Sequence, residues 1–575
     1  MFFSRLKESK NATLILASIF AFTLFLQCCY FHYQAFHSIL ISSLWNDPVA
    51  FLTFYAPKIS ISLFIASFVF LFKKKSWTIY VSFLVSIWCI AELTYFRANK
   101  IFLDAYSFTM VGNMDGFWSS VPMYIYVSDF IIFLFTVILI ISYCLLHNKL
   151  INYKISIFGI CISILLNIYA CIGLVNFDFN NVGTVNPFAK KTIGIIVEPS
   201  KQTYLNRFSV IHAFLYDLKE ITLLPIENKT YVLSNSEIQQ TNRFIHYSSI
   251  NESNSSNVIV ILVESLEAWT ISRDITPNLQ AFISDESTIF YANKIITQTK
   301  GGTSADGQMI VNTGLLPINE GAVCYRYPMN HFPSISKNYK RAAAIVPGSL
   351  SVWNQKYMSN SYGITSNYET STNDADILKK LIEIYPYNEY TLAITMSSHS
   401  PFNSCLNQDV NVPFDMPELM QNYLKSINFM DENLGNFLSF IESDSILQNS
   451  TIVITGDHTI FPSEIRKEFS DYCKANNLDY KVEENYCPLI IYSPNIKEKT
   501  IVDEEAYQMD IYPTILHVIG AEDYYWKGFG VNLLDSVARQ NRPISPEDAF
   551  ELSDKLIRAN YFKEIEDSLY SQNQK

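Results

Sequence analysis

Residues 257–265 read NVIVILVES, a short apolar run that ends in a carboxylate and a hydroxyl. The run is rich in valine and isoleucine, and its length is typical of a buried β-strand. Three later stretches repeat this pattern, with helical patterns between them: TLAITM at 391–396, TIVIT at 451–455 and PLIIY at 488–492. The alternation of buried strands with helices predicts an α/β domain with a mostly parallel central sheet.

The residues that follow these strands are polar and chemically reactive. Glu264 follows the first run, and His399 comes shortly after the second. Asp457 and His458 come directly after the third. A glycine-rich turn at 300–306, KGGTSAD, lies between the first two strands. Because ligands of open α/β sheets bind beyond the carboxyl ends of the strands, we expect these side chains to meet at one edge of the sheet.

This set of side chains indicates a metal-assisted site. Two carboxylates and one imidazole suit a divalent cation such as Mn²⁺, Mg²⁺ or Zn²⁺. The hydroxyl of Thr303 is a poor nucleophile at its ordinary pKa, and metal coordination is one way to activate it. Gly301 and Gly302 allow a tight turn ahead of Thr303, and a helix that starts there would offer N–H groups to an anion.

Plainer structural roles are open for the same residues. Thr303 and Asp306 could be the N-cap of a helix and its box partner. His399, which precedes Ser-Pro-Phe, could be a turn histidine, or it could hydrogen-bond a phosphoryl oxygen or protonate a leaving group. The sharpest single signal is the adjacent pair Asp457 and His458, because neighbouring residues of metal-ligand type are uncommon at a strand end.

Outward from this region, the chain divides into two parts of different composition. Hydrophobic residues make up 49% of the 575 residues and charged residues 17%, which excludes a disordered chain and a collagen. Residues 1–180 carry 11 basic and 7 acidic residues, whereas the remainder carries 31 basic and 47 acidic residues. With a net charge of −12, the chain is not a basic nucleic-acid binder, and we expect no nucleic-acid partner.

The first part, 1–180, is predicted to be a polytopic α-helical membrane domain. A helix needs about 20 apolar residues to span a bilayer. About five stretches approach this length: 12–33, 49–72, 76–96, 124–147 and 155–176. The Lys and Arg residues around these spans place the N-terminus in the cytoplasm. We therefore expect a multi-pass protein of the cytoplasmic (inner) membrane, with its catalytic domain on the periplasmic or extracellular side.

Three further segments complete the predicted organisation. Residues 181–256 are expected to be a connector that contains a membrane-surface helix. The catalytic domain is placed at 257–540, and 541–575 is expected to form a polar helical tail. Four cysteines lie in the exported part, and a disulfide between Cys473 and Cys487 is one of several pairings that the sequence leaves open.

Taken together, these motifs resemble the lipoteichoic acid synthase-like family of membrane phosphoglycerol transferases, within the alkaline phosphatase/sulfatase superfamily. The matching stretches are NVIVILVES (257–265), TPNL (276–279), GGTSADGQ (301–308), WN (353–354), SSHSPF (397–402), TGDH (455–458) and DIYPT (510–514). An anchor of about five spans before an exported domain is also similar, so the resemblance covers nearly the whole chain. It implies a sulfatase- or alkaline-phosphatase-like fold for the exported domain.

Residue by residue, the resemblance implies one catalytic metal site. Its ligands would be Glu264, Thr303, Asp457 and His458. The ion would be Mn²⁺ or Mg²⁺, with Zn²⁺ as a further alternative. Thr303 would also be the nucleophile that forms a covalent phospho-intermediate. Three further residues would bind the substrate: His399, Trp353 and Gln355.

Two departures from the family pattern concern the head group that is transferred. The family typically continues Trp-Asn with an arginine, where this chain has Gln355, and glutamine lacks the charged bidentate fork. A carboxylate that is expected five residues before Trp353 is replaced by Gly348. Both changes weaken the case for glycerol phosphate and leave phosphoethanolamine or another head group open.

The implied activity is transfer of a phospholipid head group, of the phosphoglycerol type, to an extracytoplasmic glycan or polymer. The partners would be a phospholipid donor, a glycan or polymer acceptor, and the membrane. A hydrolase of phosphodiesters or sulfuric esters is the alternative, because it would share the nucleophile and the metal. A formylglycine sulfatase is disfavoured, since Thr303 is followed by SADG and not by x-P-x-R. A non-catalytic envelope binding protein is the third reading, which the retained ligand positions argue against.

Overall fold

The computed structural model describes most of the chain. The described residues are 12–36, 48–72, 75–99, 101–104, 107, 120–146, 153–176, 205, 208–223, 231–246, 257–407, 409–410, 412–413 and 415–573. They belong to two compact units, which are described separately. The first unit comprises Met1–Ala105 and Val121–Glu227, and the second comprises Tyr106–Ser120 and Asn228–Lys575.

The first unit is built from helices, most of which are long and apolar; the last one is shorter and carries charged residues. These are α1 (Ala12–Phe36), α2 (Pro48–Leu71), α3 (Trp77–Asn99), α4 (Ile131–Leu146), α5 (Tyr153–Asn176) and α6 (Val210–Leu223). Four segments are long and apolar enough to cross a membrane: Ala12–Phe36, Phe54–Leu71, Trp77–Asn99 and Val127–Leu146. The apolar stretch found in α5, Lys154–Tyr169, is shorter. The predicted α-helical membrane domain is confirmed, with four to five apolar helices where the sequence places them.

A polar network links three helices of this unit. The side-chain amide of Gln27 in α1 donates to the hydroxyl oxygens of Ser86 at 2.8 Å and Thr136 at 3.1 Å. It also contacts the hydroxyl and carbonyl oxygens of Ser82, both at 3.1 Å. All four residues are buried. Because polar side chains among apolar helices find partners on their neighbours, this network ties α1 to α3 and α4.

An ion pair closes one end of the same unit. Nη1 of Arg97, near the end of α3, lies 2.6 Å from Oδ2 of Asp129, and Nη2 lies 2.8 Å from Oδ1. Asp129 also accepts the backbone N–H of Tyr126 at 2.9 Å, just before α4. The two charges neutralise each other, which makes both tolerable beside an apolar layer.

The second unit is built around a nine-stranded sheet. Its strands are β1 (Val258–Val263), β2 (Ile289–Ile296), β3 (Ala342–Pro347), β4 (Ser366–Thr370), β5 (Tyr390–Ile394), β6 (Thr451–Gly456), β7 (Cys487–Tyr492), β8 (Thr500–Val502) and β9 (Ala506–Tyr507). Their order is β4-β3-β5-β1-β6-β7-β2-β8, and β9 pairs with β2. Among the described strands only β7 runs antiparallel to its neighbours. The predicted mostly parallel sheet is confirmed.

The four strands predicted from the sequence are consecutive neighbours in the sheet, in the order β5-β1-β6-β7, and the first three of them are parallel to one another. Strand β1 lies between β5 and β6 and is parallel to both. Every residue of these three strands is buried, as their apolar runs predict. Near the carboxyl ends, Leu262 pairs with Ile394 and Val263 pairs with Gly456. The residues that follow the three strands therefore emerge at one edge of the sheet.

Helices surround this sheet. They are α7 (Asn235–Thr241), α8 (Pro277–Asp285), α9 (Ser304–Thr313), α10 (Val323–Arg326), α11 (Gln355–Ser361), α12 (Asp374–Ile384), α13 (Glu418–Leu438), α14 (Ser445–Gln448), α15 (Ser463–Ala475), α16 (Ile511–Val518), α17 (Ser536–Gln540), α18 (Pro546–Ala559) and α19 (Tyr561–Asn573). Helix α12 packs against β3, β5 and α13, while α9 packs against α16. Helix α9 contributes to the candidate site, because Thr303 is its N-cap residue.

The segment predicted as a polar tail, 541–575, packs within the second unit. Helix α18 buries an apolar face, and its Ser553 bonds both the backbone N–H and the carbonyl of Leu316, at 2.8 Å and 2.6 Å. Its neighbour Asp554 accepts the N–H of Asn319 at 2.9 Å. The described part of the tail is therefore held against the loop that follows α9.

The described cysteines of the second unit are free thiols. Among the cysteines that the structure describes, Cys324, Cys405, Cys473 and Cys487 form no disulfide. The pairing of Cys473 with Cys487, which the sequence left open, is therefore not formed. These two residues belong to α15 and β7, where both are buried within packed elements.

Candidate active site

Glu264, Asp457 and His458 meet at the edge of the sheet where β1 and β6 end. One ligand atom from each of the three buried residues lies within 4.8 Å of the other two. Nε2 of His458 is 3.6 Å from Oε1 of Glu264 and 3.7 Å from Oδ2 of Asp457. In the described part of the chain no other group of three such side chains converges in this way. These three ligand positions, predicted from separate strand ends, are brought together.

Asp457 leaves one oxygen unbonded inside this cluster. Its Oδ1 accepts the backbone N–H groups of Ser265 at 2.9 Å and His458 at 2.7 Å. Its Oδ2 is buried and has no hydrogen-bond partner among the described residues. Burial, and next the negative charge of Glu264, raises the pKa of Asp457 to about 7. A buried carboxylate oxygen without a donor is costly, so Oδ2 fits the role of a cation ligand.

His458 presents the ring nitrogen that a metal requires. Nδ1 lies 3.3 Å from the carbonyl oxygen of Thr459, to which it can donate, and this leaves the lone pair of Nε2 facing the carboxylates. Burial opposes the charged ring, but Asp457 and Glu264 outweigh it and raise the pKa of His458. The set of two carboxylates and one imidazole fits Mn²⁺, Mg²⁺ or Zn²⁺ without selecting among them.

Hydroxyl groups hold Glu264 in place. Its backbone N–H donates to Oγ1 of Thr395 at 3.0 Å, and Oγ of Ser398 donates to its carbonyl at 2.5 Å. Oγ of Ser265 donates to its Oε1 at 2.8 Å. Sequence analysis missed all three hydroxyl residues as parts of the site. The available signal was that serine and threonine directly follow β1 and β5, the strands whose ends carry the predicted ligands.

The glycine-rich turn before α9 is closed by Asp306. Oδ2 of Asp306 accepts the backbone N–H groups of Lys300 at 2.8 Å and Gly302 at 2.9 Å. A Cβ atom at Gly302 would lie 2.2 Å from Oδ1 of Asp306, so only glycine fits there. Thr303 is the N-cap residue, as considered from the sequence, but its side chain makes no capping bond. The prediction that Thr303 and Asp306 form a capping box is therefore wrong.

The two hydroxyls at the start of α9 have different surroundings. Oγ of Ser304 lies 3.1 Å from Oε2 of Glu264 and 3.2 Å from Nε2 of His458. The hydroxyl of Thr303 is half-exposed and makes no hydrogen bond within the described residues. Ser304 was not singled out from the sequence, although it directly follows the predicted nucleophile. The turn that carries Thr303 thus lies against the cluster, while the role of Thr303 as a metal ligand stays a prediction.

Backbone strain marks the same turn. Thr303 has φ 41° and ψ −111°, and Ser265, next to Glu264, has φ 56°. Positive φ is rare for residues other than glycine and is most costly for a β-branched residue such as threonine. Strain of about 1–3 kcal/mol persists only where the surroundings hold it, and such positions cluster at functional sites. The two strained residues flank the cluster on two different elements.

A buried ion pair supports the loop that follows His458. Nη1 and Nη2 of Arg466 lie 2.7 Å and 2.6 Å from the two carboxylate oxygens of Glu267. The same carboxylate accepts the backbone N–H of Ile460 at 2.9 Å and the indole N–H of Trp269 at 2.6 Å. All charges and donors around Glu267 are therefore paired, and its contact with residue 460 restrains the chain two residues beyond His458.

The predicted substrate-binding residues lie on three segments. His399 follows β5 and is half-buried; burial lowers its pKa, and the charges of Asp457 and His458 act on it in opposite directions. Trp353 is half-exposed between β3 and α11, has φ 53°, and its ring centroid lies 5.9 Å from that of Tyr325. Gln355 is buried, and its amide reaches Ser359 of its own helix at 3.4 Å. Their roles toward a substrate stay predictions.

Two family models match the chain. Residues 256–521 match the Sulfatase family, and residues 2–184 match the Lipoteichoic acid synthase N-terminal domain. The first match covers the sheet and the cluster, and the second covers the apolar helices. The resemblance that the motifs carry is confirmed by these matches.

Two curated relatives are lipoteichoic acid synthases, and one solved structure also aligns with the chain. Lipoteichoic acid synthase 2 of Bacillus subtilis is 25% identical over 389 residues, which cover 62% of this chain and 58% of the relative. Lipoteichoic acid synthase of Staphylococcus saprophyticus is 22% identical over 573 residues, which cover 93% and 86%. The crystal structure of the lipoteichoic acid synthase LtaP from Listeria monocytogenes aligns with a TM-score of 0.44 at 18% identity, covering 58% of this chain and 98% of that one. The chain thus spans little more than half the length of the first of these relatives.

Proposed function

We propose that this chain, which joins a lipoteichoic-acid-synthase-type N-terminal domain to a sulfatase-type domain, is a membrane-anchored, metal-dependent phosphotransferase. The proposal rests chiefly on one juxtaposition. A buried cluster of two carboxylates and an imidazole, with one carboxylate oxygen unbonded, lies against a turn that carries an unbonded threonine hydroxyl. These are the parts that phosphoryl transfer through a covalent intermediate requires.

Glu264, Asp457 and His458 would hold one divalent cation, with Thr303 as a further ligand. When bound, the cation would lower the pKa of the threonine hydroxyl and neutralise charge on a phosphoryl oxygen. Manganese or magnesium is our first expectation, because carboxylate-rich donor sets suit these ions, and zinc remains compatible with the imidazole. The hydroxyls of Thr395 and Ser398 restrain the backbone of Glu264, and that of Ser265 bonds its carboxylate, so the side chain is held before any ion binds.

The reaction would begin with attack of Thr303 on the phosphorus of a phospholipid head group. A bond forms between Oγ1 of Thr303 and phosphorus, and the bond from phosphorus to the diacylglycerol oxygen breaks. The hydroxyl proton of Thr303 is transferred in net to the departing diacylglycerol. His399, which is neutral at pH 7 because burial lowers its pKa, would hydrogen-bond a phosphoryl oxygen or pass this proton on.

The second step would return the enzyme to its starting state. An acceptor hydroxyl attacks the phosphorus, the bond to Oγ1 of Thr303 breaks, and the acceptor proton ends on the threonine. With a glycan or polymer hydroxyl the reaction is a transfer, and with water it is a hydrolysis. The strained backbone at Thr303 would favour both attack and release, because the turn holds the hydroxyl in one orientation.

The membrane domain would keep the site close to its lipid donor. Tethering raises the effective concentration of a surface-bound substrate without any new contact. The donor would be a phospholipid of the phosphatidylglycerol type and the acceptor an extracytoplasmic glycan or polymer. The proposal includes a multi-pass chain in the cytoplasmic membrane, with the cluster on the periplasmic or extracellular side.

The head group is the least constrained part of the proposal. Gln355 stands where the family has arginine, and its amide turns to Ser359. Gln355→Arg should raise the rate with phosphatidylglycerol if the group transferred is glycerol phosphate, because arginine can grip a phosphate with two hydrogen bonds. An unchanged rate would argue for another head group, such as phosphoethanolamine.

The test uses the full chain in nanodiscs with labelled phosphatidylglycerol or phosphatidylethanolamine and Mn²⁺. Mass analysis of the peptide that contains Thr303 should find the label on this residue and not on Ser304. Thr303→Ala should abolish labelling and turnover while the protein still unfolds at the same temperature. The matched variant Ser304→Ala should keep the label on Thr303 and slow turnover only about tenfold, because it removes one hydrogen bond to the cluster.

The outcomes separate the alternatives. Label on Ser304, or normal turnover by Thr303→Ala, would remove Thr303 as the nucleophile. Release of the label to water in the presence of acceptor glycans would identify a hydrolase. A folded chain that binds lipid but never becomes labelled, with any of the three metals, would leave only a binding role.

A further inference from the structure

The first unit contains a buried lysine without a counter-charge. Lys58 of α2 is 0% exposed, and its Nζ donates to the carbonyl oxygen of Phe54 at 3.2 Å. The same Nζ lies 3.7 Å from the centroid of the Phe54 ring. Among the described residues Lys58 forms no ion pair, and two of its three N–H groups have no acceptor. A cation in such surroundings costs several kcal/mol unless an anion joins it.

His32 of α1 lies beside the same phenylalanine and is also unsatisfied. It is 3% exposed, and neither of its ring nitrogens has a partner in good hydrogen-bond geometry within the described chain, although the backbone of Leu205 is close enough to act as a weak acceptor. Its ring centroid lies 4.8 Å from that of Phe54, in an edge contact. Phe54 therefore contacts both Lys58 and His32. Two buried polar side chains with unused hydrogen-bonding capacity on neighbouring helices point to a ligand, because buried polar groups are almost always bonded.

A third polar residue near Lys58, His212, already has a hydrogen-bond partner for each of its ring nitrogens. Nδ1 of His212 in α6 accepts from Oγ of Ser209 at 2.9 Å, and Nε2 lies 3.3 Å from Oδ1 of Asn167. Burial, and next the charge of Lys58, lowers the pKa of His212 to about 4, so this ring is neutral at pH 7. The groups left to bind a ligand are thus the donors of Lys58 and His32.

The cluster lies inside the apolar part of the unit. Lys58 lies about 15 Å along α2 from Pro48, and its Nζ reaches back one turn toward the helix start. His32 is four residues before the end of α1. These two helix ends are consecutive in the chain and, by the predicted topology, face the outer leaflet. A phosphoryl group would meet both side chains about two helical turns below the start of α2, where the charge of Lys58 offsets the cost of burying an anion.

We infer that Lys58 and His32 form a second binding site, within the membrane unit, for the phosphoryl group of an anionic ligand. The ligand is held by charge-assisted hydrogen bonds, and the phenylalanines around His32 line the apolar side of the site. The site is separate in chain position from the cluster at Glu264, and it does not depend on the reaction proposed there.

Native mass spectrometry of the full chain tests this site. The Thr303→Ala chain is titrated with phosphatidylglycerol, or with phosphatidylcholine as the zwitterionic lipid, with chelator present. These conditions silence the catalytic site, so that binding is read without turnover. We expect Lys58→Met to weaken the first phosphatidylglycerol binding constant at least about tenfold, and His32→Ala to weaken it by a smaller factor. Lys58→Arg should retain most of the affinity.

Controls separate this site from general charge effects and from free phosphate. Lys75→Met removes a lysine of the same unit beyond the far end of α2, and it should leave the binding constant unchanged. Inorganic phosphate added in place of the anionic lipid distinguishes the two sources of a phosphoryl group. A response to phosphate that requires Lys58 supports the site with free phosphate as its ligand.

One set of results would overturn the inference. If Lys58→Met and His32→Ala bind phosphatidylglycerol as the parent does, Lys58 is a neutral buried lysine and the site does not exist. His32→Ala decides the matter should Lys58→Met fail to fold. A failure to label Thr303 would not change this binding result. The proposed reaction and the proposed binding site are therefore tested independently.

Discussion

Two buried aspartates of the second unit differ in how their oxygens are used. Asp510, at the start of α16, accepts the backbone N–H groups of Tyr507 at 2.7 Å and Val531 at 2.9 Å. Both of its oxygens also bind the guanidinium of Arg542, at 2.6 Å and 2.8 Å. Asp457 instead faces the carboxylate of Glu264, and its Oδ2 accepts no hydrogen bond among the described residues. One aspartate is bonded on both oxygens by a guanidinium, whereas the other has only the imidazole of His458, 3.7 Å from its Oδ2.

The difference teaches how to tell a structural carboxylate from a functional one. Burial is nearly complete for both residues, so exposure does not separate them. A fully bonded carboxylate stabilises the turn around it, whereas an unbonded one beside a like charge is unfavourable by itself. Both residues lie in stretches that resemble the family, TGDH and DIYPT. The hydrogen bonds, and not the motifs, distinguish the two residues, and they support the metal-binding role that we propose for Asp457.

The largest expected effect comes from neutralising the two aspartates separately. Asp457→Asn should lower turnover on the order of 10³-fold or more, because it removes charge that faces the reacting group. It should leave the unfolding temperature without metal unchanged or higher, since repulsion with Glu264 is relieved. Asp510→Asn should instead lower the unfolding temperature clearly and change turnover per folded molecule much less. Turnover and thermal unfolding of both variants in the same nanodiscs would check this, and equal effects on the two readouts would erase the distinction.

A second prediction concerns the partner of the structural aspartate. Arg542→Met should lower the free energy of unfolding by about 3 kcal/mol, because it leaves a buried charge without its cation. Turnover per folded molecule should remain close to that of the parent. Denaturant unfolding with parallel activity measurements decides the outcome. A stability loss below about 1 kcal/mol would mean that the two backbone N–H groups suffice to hold Asp510.

The third prediction uses metal as the missing partner of Asp457. Chelation should abolish turnover, and Mn²⁺ or Mg²⁺ should restore it. At a metal concentration about 100 times the dissociation constant, the free energy of unfolding should rise by about 2.7 kcal/mol. Asp457→Asn should lose most of this gain, while Arg542→Met should keep it. If chelator leaves the free energy of unfolding of the parent unchanged, the metal site is rejected. The same titration with Zn²⁺ tests the third candidate ion.

The strands that were predicted from the sequence are buried on both faces, but burial alone was not a sufficient signal, because β3 is also almost wholly buried and its alanine-rich run was missed. Apolar runs predict β1, β5, β6 and β7 directly, because a central parallel strand has no solvent face. Strand β4 is half-exposed along its length, and β8 has three residues, so neither shows such a run. Their place in the sheet depends on pairing with residues that are distant in the chain. Local hydrophobic periodicity holds no information about such pairing.

The same limit explains which site residues could be predicted. Glu264, Asp457 and His458 follow buried strands directly, so the rule for parallel sheets brings them together. The clamp from Thr395 and Ser398 depends on how the end of β5 turns back toward β1, which only the coordinates specify. Sequence analysis also considered a capping box at Asp306, because the spacing fits one. The carboxylate instead reaches six residues back, to Lys300.

The smallest expected effect comes from the clamp on the functional carboxylate. Thr395→Val removes the acceptor of the Glu264 N–H and should cost about 1 kcal/mol of stability and about tenfold in turnover. The matched control is Thr391→Val, four residues earlier in β5, since the hydroxyl of Thr391 is buried and has no partner among the described residues. That change should be neutral or slightly stabilising and leave turnover intact. If the two valine variants had the same stability and turnover, the position of Glu264 would not depend on the hydroxyl of Thr395. The comparison with Asp510 would then be supported by Asp457 only.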